Sequence, residues 1–147
     1  MTIPPPTSVP PRSSDCPAAI VLVEDDEDLA AVMVESLAAH GYRVTVSRNA
    51  HEAEHLLGDD AMGVLVTDFS LPPGADGLSI IRRVRADPSL AHVAIVLATG
   101  HPDARQLEQA ALTLAAAFVP KPFDIHLLLA AIERARTLVP PRARRAA

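Results

Sequence analysis

Short apolar runs of strand length alternate along this chain with longer segments of helical periodicity, and this alternation constrains the fold most. Four runs, at residues 19–23, 64–67, 93–98 and 118–119, consist almost entirely of apolar side chains. A fifth, at 42–46, alternates apolar and polar positions in the manner of a half-buried strand. Strands that alternate with helices predict parallel βαβ units. Because the crossovers between parallel strands are right-handed, the alternation favours a doubly wound sheet.

The intervening segments carry apolar residues at helical spacing, and five helices are predicted. The buried face of the first helix is expected to consist of Leu29, Val32, Met33 and Leu37. Gly41 stands where a glycine commonly ends a helix, and a short second helix is predicted over 50–57. The other three helices are marked by Leu78, Ile81 and Val84, by Leu107, Ala110, Ala111 and Leu114, and by Ile125, Leu128, Leu129 and Ile132. The predicted fold class is α/β, with five parallel strands in the order 2-1-3-4-5.

The size and composition of the chain fit one compact domain. It has 147 residues, of which 49% are hydrophobic, enough to fill a single core. The net charge of −5 argues against direct DNA binding, which needs clustered basic residues. The single cysteine, Cys16, excludes an internal disulfide. No apolar run approaches the roughly 20 residues that span a bilayer, so a cytoplasmic protein without membrane contact is expected.

The two ends of the chain differ in composition from the middle. Residues 1–18 contain six of the fourteen prolines and are expected to form a disordered arm. Residues 139–147 form a short basic tail in which prolines should stop the preceding helix. The folded domain is therefore expected over residues 19–138, and since the sequence stops soon after it, no further domain is expected.

Polar side chains follow four of the predicted strands. Glu24 and Asp25 follow the first strand, Asp68 ends the third, Thr99 ends the fourth, and Lys121 follows the fifth. In doubly wound sheets ligands bind outside the carboxyl ends of the strands, where the strand order reverses. Carboxylate oxygens suit a hard cation such as Mg²⁺, and a carboxylate can also act as a nucleophile that forms an acyl phosphate. The sequence therefore predicts a site for a cation and a phosphoryl group.

These features resemble the receiver domain of bacterial two-component response regulators, over about residues 18–138. The segments that carry the resemblance are 21–26 (VLVEDD), 66–72 (VTDFSLP), 75–78 (ADGL), 97–100 (LATG) and 119–123 (VPKPF). The resemblance implies a flavodoxin-like fold. It implies a signalling module, not an enzyme acting on an external substrate, that is phosphorylated by a sensor histidine kinase or a histidine phosphotransfer protein. It further implies a downstream protein target that docks on helix 4, strand 5 and helix 5.

The resemblance also assigns a role to each matching position. Asp68 would be the phosphoacceptor. Mg²⁺ would be bound by Asp25, by Glu24 directly or through water, by Asp68, and by the backbone carbonyl of Ser70. Thr99 would hydrogen-bond the phosphoryl oxygens and Lys121 would pair with them, with the Lys121–Pro122 peptide bond in the cis form. Phe118 occupies the position of the family's aromatic switch. The loop 71–77 is about one residue longer than the commonest family form.

Three other interpretations of the sequence remain. The segment 51–55 matches the H-E-x-x-H pattern of zinc proteases, with His51 and His55 as ligands and Glu52 as general base. Both histidines are expected opposite the apolar stripe of their helix, facing solvent. A hydrolase of the haloacid dehalogenase kind would need a second acid two residues after Asp68, where Ser70 stands. Finally, the domain could pass phosphate on as a shuttle or sink without a conformational output.

Overall fold

The computed structural model describes residues 19–59, 62–70, 76–100, 104–121 and 124–140. Within them, five strands alternate with five helices, and a single 3₁₀ turn at Pro88–Leu90 precedes the fourth strand. The strands are β1 (Ala19–Val23), β2 (Val44–Ser47), β3 (Met62–Asp68), β4 (Ala94–Thr99) and β5 (Ala117–Pro120). The helices are α1 (Glu27–Ala39), α2 (Ala50–Leu57), α3 (Gly77–Ala86), α4 (Ala104–Thr113) and α5 (Ile125–Thr137).

All five strands form one parallel sheet in the order β2-β1-β3-β4-β5, as the sequence predicts. In the register of β1 with β3, Val23 lies opposite Thr67, and in that of β3 with β4, Asp68 lies opposite Ala98. The strand order reverses between β1 and β3. The carboxyl ends of these two neighbouring strands therefore lie side by side at one edge of the sheet.

A separate apolar core covers each face of the sheet. Alternate residues of every strand point to opposite faces, so Val21 and Val23 of β1 pack on one side and Ile20 and Leu22 on the other. The first core is completed by α2, α3 and α4, and the second by α1 and α5. Because both faces are covered, the central strands are apolar except at their carboxyl ends, which explains the uninterrupted runs in the sequence.

The predicted helices are present, with one error in the face of α1. Val32 was expected to be buried but is 59% exposed, whereas Ala30, Met33 and Leu37 are buried. Val34 packs against the same core. The buried stripe is rotated toward Ala30 and Val34, and this places Val32 on the far side of the helix.

The ends of the helices follow local sequence signals. The side chains of Asp26, Asn49, Asp76 and Asp124 accept a backbone N–H in the first turns of α1, α2, α3 and α5 respectively. Gly41 has φ +91°, directly after the C-cap residue His40, so it ends α1 in the left-handed conformation expected of glycine. The second strand starts at Val44, two residues later than the apolar run predicts.

Arg85 connects the end of α3 to the end of α4. Its guanidinium donates to the backbone carbonyls of Leu114 at 2.7 Å, Val93 at 2.9 Å and Ala115 at 3.2 Å. Burial lowers the pKa of Arg85, which is only half exposed among these carbonyls. The carboxyl end of α4 is thereby fixed to the chain that leads into β4.

Several predictions lie outside the described residues. These are the disordered arm (1–18), most of the basic tail (141–147), the loop 71–75, and the cis Lys121–Pro122 bond, because Pro122 is not described. Within the described ranges, no helix is both long and apolar enough to cross a membrane.

Candidate functional site

Four of the predicted site residues converge at the carboxyl edge of the sheet. Glu24 directly follows β1, Asp68 is the last residue of β3, Thr99 is the last residue of β4, and Lys121 directly follows β5. Each strand delivers its side chain to the same edge because the strands are parallel. The reversal of strand order between β1 and β3 opens the space in which Glu24 and Asp68 face each other.

Three carboxylates form a cluster at this edge. Glu24, Asp25 and Asp68 each offer one oxygen, and these oxygens all lie within 4.8 Å of one another. Glu24 is buried, Asp68 is half-buried and Asp25 is exposed. Hard oxygen ligands with one open side suit Mg²⁺, which keeps several waters when it binds to protein. The donor set therefore fits Mg²⁺, the metal that the sequence predicts for this site.

Lys121 connects two of these carboxylates. Its Nζ donates to Glu24 Oε2 at 2.9 Å and to Asp68 Oδ2 at 3.1 Å, and its side chain is 19% exposed. Burial by itself lowers the pKa of Lys121, but the hydrogen bonds and charges of the two carboxylates outweigh it and leave the pKa raised. The lysine is therefore a fixed positive charge next to Asp68 at neutral pH.

Glu24 is the least solvated of the three acids. Its side chain accepts from the Lys121 ammonium, and its Oε1 accepts from the Asp26 amide at 3.2 Å. Burial nevertheless raises the pKa of Glu24, the Asp68 charge adds to this, and the contacts with Lys121 and Asp26 offset it only in part. One ammonium faces three carboxylates here, so a further cation would relieve the remaining repulsion.

The main chain around Asp68 is held by its neighbours. The Ser70 amide donates to Asp68 Oδ1 at 3.4 Å, and the buried Thr67 hydroxyl donates to the Asp68 carbonyl at 2.9 Å. Ser70 is exposed and pairs with Asp76 in an isolated antiparallel bridge. The structure thus brings the backbone of Ser70 next to the Asp68 carboxylate, and its predicted contribution of a carbonyl ligand stays a prediction.

Thr99 and Phe118 lie on the strands beside Asp68. Thr99 is 2% exposed, and its carbonyl accepts from the Lys121 amide at 2.9 Å, which ties the two residues through the main chain. Phe118 is half-buried, lies opposite Leu97 in the register, and packs against the core formed with α3 and α4. The role of Phe118 as an aromatic switch stays a prediction.

Two residues of the site have no role in the predictions from sequence. They are Thr67, which donates to the Asp68 carbonyl, and Gly77, the first residue of α3. Any side chain at Gly77 would collide with the Asp68 carbonyl oxygen. Gly77 belongs to the segment 75–78 that carries the family resemblance, but that resemblance gave it no role and no contact with Asp68.

The zinc-protease pattern at 51–55 gains no support. His51, Glu52 and His55 are exposed on α2, as expected of a solvated helix face. Among the described residues, the only group of three or more potential metal ligands is the Glu24, Asp25 and Asp68 cluster. A two-histidine pair on an open surface lacks the third ligand that catalytic zinc sites have.

Comparisons with known proteins identify the same family. The response regulator receiver domain family matches residues 20–133. The chain is 35% identical over 118 residues to the C4-dicarboxylate transport transcriptional regulatory protein DctD of Rhizobium meliloti, covering 80% of this chain and 25% of that protein. It is 30% identical over 114 residues to the DNA-binding transcriptional regulator NtrC of Salmonella typhimurium, covering 78% of this chain and 24% of that protein.

A solved structure agrees with the sequence relatives. The non-phosphorylated receiver domain of HemR from Leptospira biflexa superposes with a TM-score of 0.71 at 30% identity, covering 84% of this chain and 98% of that domain. The chain spans about a quarter of the length of the curated relatives DctD and NtrC. The similarity therefore concerns one domain of these larger regulators.

Proposed function

This chain belongs to the response regulator receiver domains, and on that premise we propose that it accepts a phosphoryl group on Asp68. The donor is a sensor histidine kinase or a histidine phosphotransfer protein, and the site of action is the cytoplasm. The observation that carries the proposal is the position of Asp68 at the sheet edge, hydrogen-bonded to Lys121 at 3.1 Å within an acidic cluster. A nucleophilic carboxylate beside a fixed cation is the arrangement that phosphoryl transfer requires.

We assign Mg²⁺ binding to Glu24, Asp25, Asp68 and the backbone carbonyl of Ser70. When bound, Mg²⁺ neutralises charge on the phosphoryl oxygens and on the carboxylates. The support for this set is that its three carboxylates lie together and that Asp25 is open to solvent. The burial of Glu24, which raises its pKa, favours a role in which a cation offsets its charge.

In the proposed reaction, a carboxylate oxygen of Asp68 attacks the phosphorus in line. The new bond joins that oxygen to phosphorus, and the bond between phosphorus and the donor histidine nitrogen breaks, leaving an imidazole. Lys121 exchanges its hydrogen bond to Asp68 for one to a phosphoryl oxygen and so stabilises the charge that develops there. Thr99 provides a hydroxyl on the adjacent strand for a second phosphoryl oxygen.

Small phosphodonors test this proposal directly. Acetyl phosphate with Mg²⁺ is expected to add one phosphoryl group to the wild-type protein, stable in acid and labile in base as an acyl phosphate is. The gain in mass by intact mass spectrometry is the measurement, and EDTA serves as the control. Labelling that persists unchanged in EDTA would contradict the metal role, and an absence of labelling with any phosphodonor or kinase would contradict the function.

The readout is proposed to use the face formed by α4, β5 and α5. A phosphoryl group brings about two negative charges next to Thr99. Movement of the Thr99 hydroxyl toward them would leave space behind β4, and Phe118, which packs on that side, could turn inward to fill it. The proposed partner is a protein that docks on this face, and the net charge of −5 argues against DNA as a direct partner.

The Thr99→Ala variant distinguishes phosphoryl transfer to Asp68 from the conformational response to it. The variant is expected to be phosphorylated at Asp68, because the nucleophile and Lys121 remain. It should lose the amide NMR shift changes in α4 and β5 that beryllofluoride, a phosphoryl mimic, produces in the wild type. The control is Thr113→Ala, on the exposed side of α4, whose hydroxyl donates only to the Gln109 carbonyl in its own helix. Wild-type shift changes confined to the surroundings of Asp68 would favour the phosphate shuttle instead.

A further inference from the structure

The chain that leaves β3 returns to lie against the first residue of α3. The amide of Gly77 donates to the carbonyl of Phe69 at 2.8 Å, and Ser70 pairs with Asp76 in an antiparallel bridge. These two contacts join the residues on either side of the loop that connects β3 to α3. The main chain next to Asp68 is therefore held by the start of the following helix.

The space at Gly77 admits no side chain. A methyl group there would overlap the carbonyl oxygen of Asp68 and lie 3.0 Å from the Asp68 carbonyl carbon and 3.1 Å from Leu97 Cδ1. The Leu97 methyl can rotate away, whereas the Asp68 atoms belong to the main chain and cannot. Among the described glycines only Gly41 has a positive φ. Close approach to Asp68, and not an unusual backbone conformation, is therefore what requires glycine at position 77.

The same carbonyl is contacted from a second direction. The Thr67 hydroxyl donates to the Asp68 carbonyl at 2.9 Å, and Thr67 is fully buried. Lys121 and the Ser70 amide contact the carboxylate of the same residue. Asp68 is thus fixed separately through its main chain and through its side chain.

We infer that Gly77 is a positioning residue for phosphoryl transfer to Asp68. Because it has no side chain, the first turn of α3 can lie directly on the Asp68 carbonyl and set the direction in which the carboxylate points. This inference rests on the proposed function. Any larger residue would displace the Asp68 main chain, and a displacement of about 1 Å in a reacting group can lower a rate about a hundredfold.

Gly77→Ala is the primary test, with Gly58→Ala as the matched control. At Gly58 an added methyl would meet only the His55 carbonyl, at 3.2 Å and remote in sequence from the site. With acetyl phosphate and Mg²⁺, Gly77→Ala is expected to be labelled at least about tenfold more slowly than wild type. Gly58→Ala should keep the wild-type rate. Circular dichroism establishes that each variant is folded when its rate is measured.

A second substitution distinguishes positioning from simple packing. Leu97→Val removes the Cδ1 atom that a methyl at position 77 would meet, but leaves the overlap with Asp68 in place. The labelling rate of the Gly77→Ala/Leu97→Val double variant is compared with that of Leu97→Val alone. It is expected to be lower by the same factor that separates Gly77→Ala from the wild type. Recovery of the full rate in the double variant would show that Gly77 serves only the packing of Leu97, and would overturn the inference.

Thr67→Val keeps the test decisive if Gly77→Ala does not fold. Valine has the shape of threonine, suits a buried strand and removes only the hydroxyl that donates to the Asp68 carbonyl. Its labelling rate is expected to fall about threefold or more, as for the loss of one hydrogen bond. A wild-type rate in folded Gly77→Ala overturns the inference. A wild-type rate in Thr67→Val overturns its premise, that the contacts holding the Asp68 carbonyl govern the rate of transfer. If the wild-type protein itself is never labelled, the proposed function is contradicted, and with it the inference about Gly77 that rests on it.

Discussion

Asp68→Asn is expected to abolish Mg²⁺-dependent phosphorylation by acetyl phosphate. Asparagine keeps the shape of the side chain and an oxygen that can accept from Ser70 and Lys121, so the fold should be preserved. An amide is not a nucleophile toward phosphorus, however, and it cannot form an acyl phosphate. The expected result is no added phosphoryl mass under conditions that label the wild type to completion.

The matched control for this variant is Asp26→Asn. Asp26 lies next to the acidic cluster but does not belong to it, and its side chain caps α1 by accepting from the Leu29 amide. Asparagine caps a helix about as well as aspartate, so this variant loses the same charge without losing a proposed site residue. It should be labelled like the wild type. Full labelling of Asp68→Asn would contradict this prediction. If that labelling disappeared only when Ser70 was also replaced, Ser70 would be the phosphoacceptor.

Lys121→Ala is expected to reduce both phosphorylation and stability. The phosphorylation rate should fall about a hundredfold, because the ammonium that offsets the developing phosphoryl charge is gone. The free energy of unfolding at neutral pH should fall by about 2 kcal/mol, because Glu24 is left buried beside Asp68 without its cation. Urea denaturation and intact-mass labelling measure the two effects separately. Lys121→Arg should recover part of the stability.

The stability loss in Lys121→Ala should depend on pH in a defined direction. Burial raises the pKa of Glu24, so the folded protein is stabilised by its protonation and loses that contribution as the pH rises through the raised pKa. Removing Lys121 makes the ionised form less favourable still. The difference between variant and wild type should therefore be largest at neutral pH and shrink as Glu24 is protonated in acid. A difference independent of pH would contradict this account.

Arg48→Ala provides the comparison for an ion pair outside the site. Arg48 pairs with Glu27 at 2.8 Å, but both side chains are more than 70% exposed, at 73% and 74%. A solvated pair of this kind contributes about 0–1 kcal/mol. Its removal should change stability little and leave the labelling rate unchanged, although the pair is shorter than either Lys121 contact. The contrast isolates burial as the cause of the effect at Lys121.

The strands, helices and strand order could be predicted because both faces of the sheet are covered. Continuous apolar runs and helical periodicity are strong signals, and the crossover rule leaves few topologies. The convergence of Glu24, Asp68, Thr99 and Lys121 followed from that order alone. The face of α1 was predicted wrongly in part, because hydrophobicity favours Val32 over Ala30, whereas the helix is turned so that the less apolar Ala30 is buried and Val32 is exposed.

Other features of the site depend on contacts between residues far apart in the chain, which no local sequence pattern predicts. The sequence does not show that Lys121 bonds Glu24 as well as Asp68, because the two acids lie 97 and 53 residues from it along the chain. Nor does it show that Gly77 touches the Asp68 carbonyl, since a glycine after an aspartate reads equally well as a turn. Both facts follow from how closely separate elements approach, and that distance is set by packing.

The length of chain between Lys121 and Glu24 has a consequence for how the protein is made. The bond between them joins the first strand to the residue after the last one, 97 positions away. Contacts so distant in sequence close late in folding, because the intervening chain must be ordered before they can form. The three carboxylates belong to β3 and to the residues that follow β1, so a chain folded only as far as β4 would lack the ammonium that offsets their charge. If the proposed function holds, competence to receive a phosphoryl group at Asp68 would therefore depend on the docking of β5, which brings Lys121 to the carboxylates.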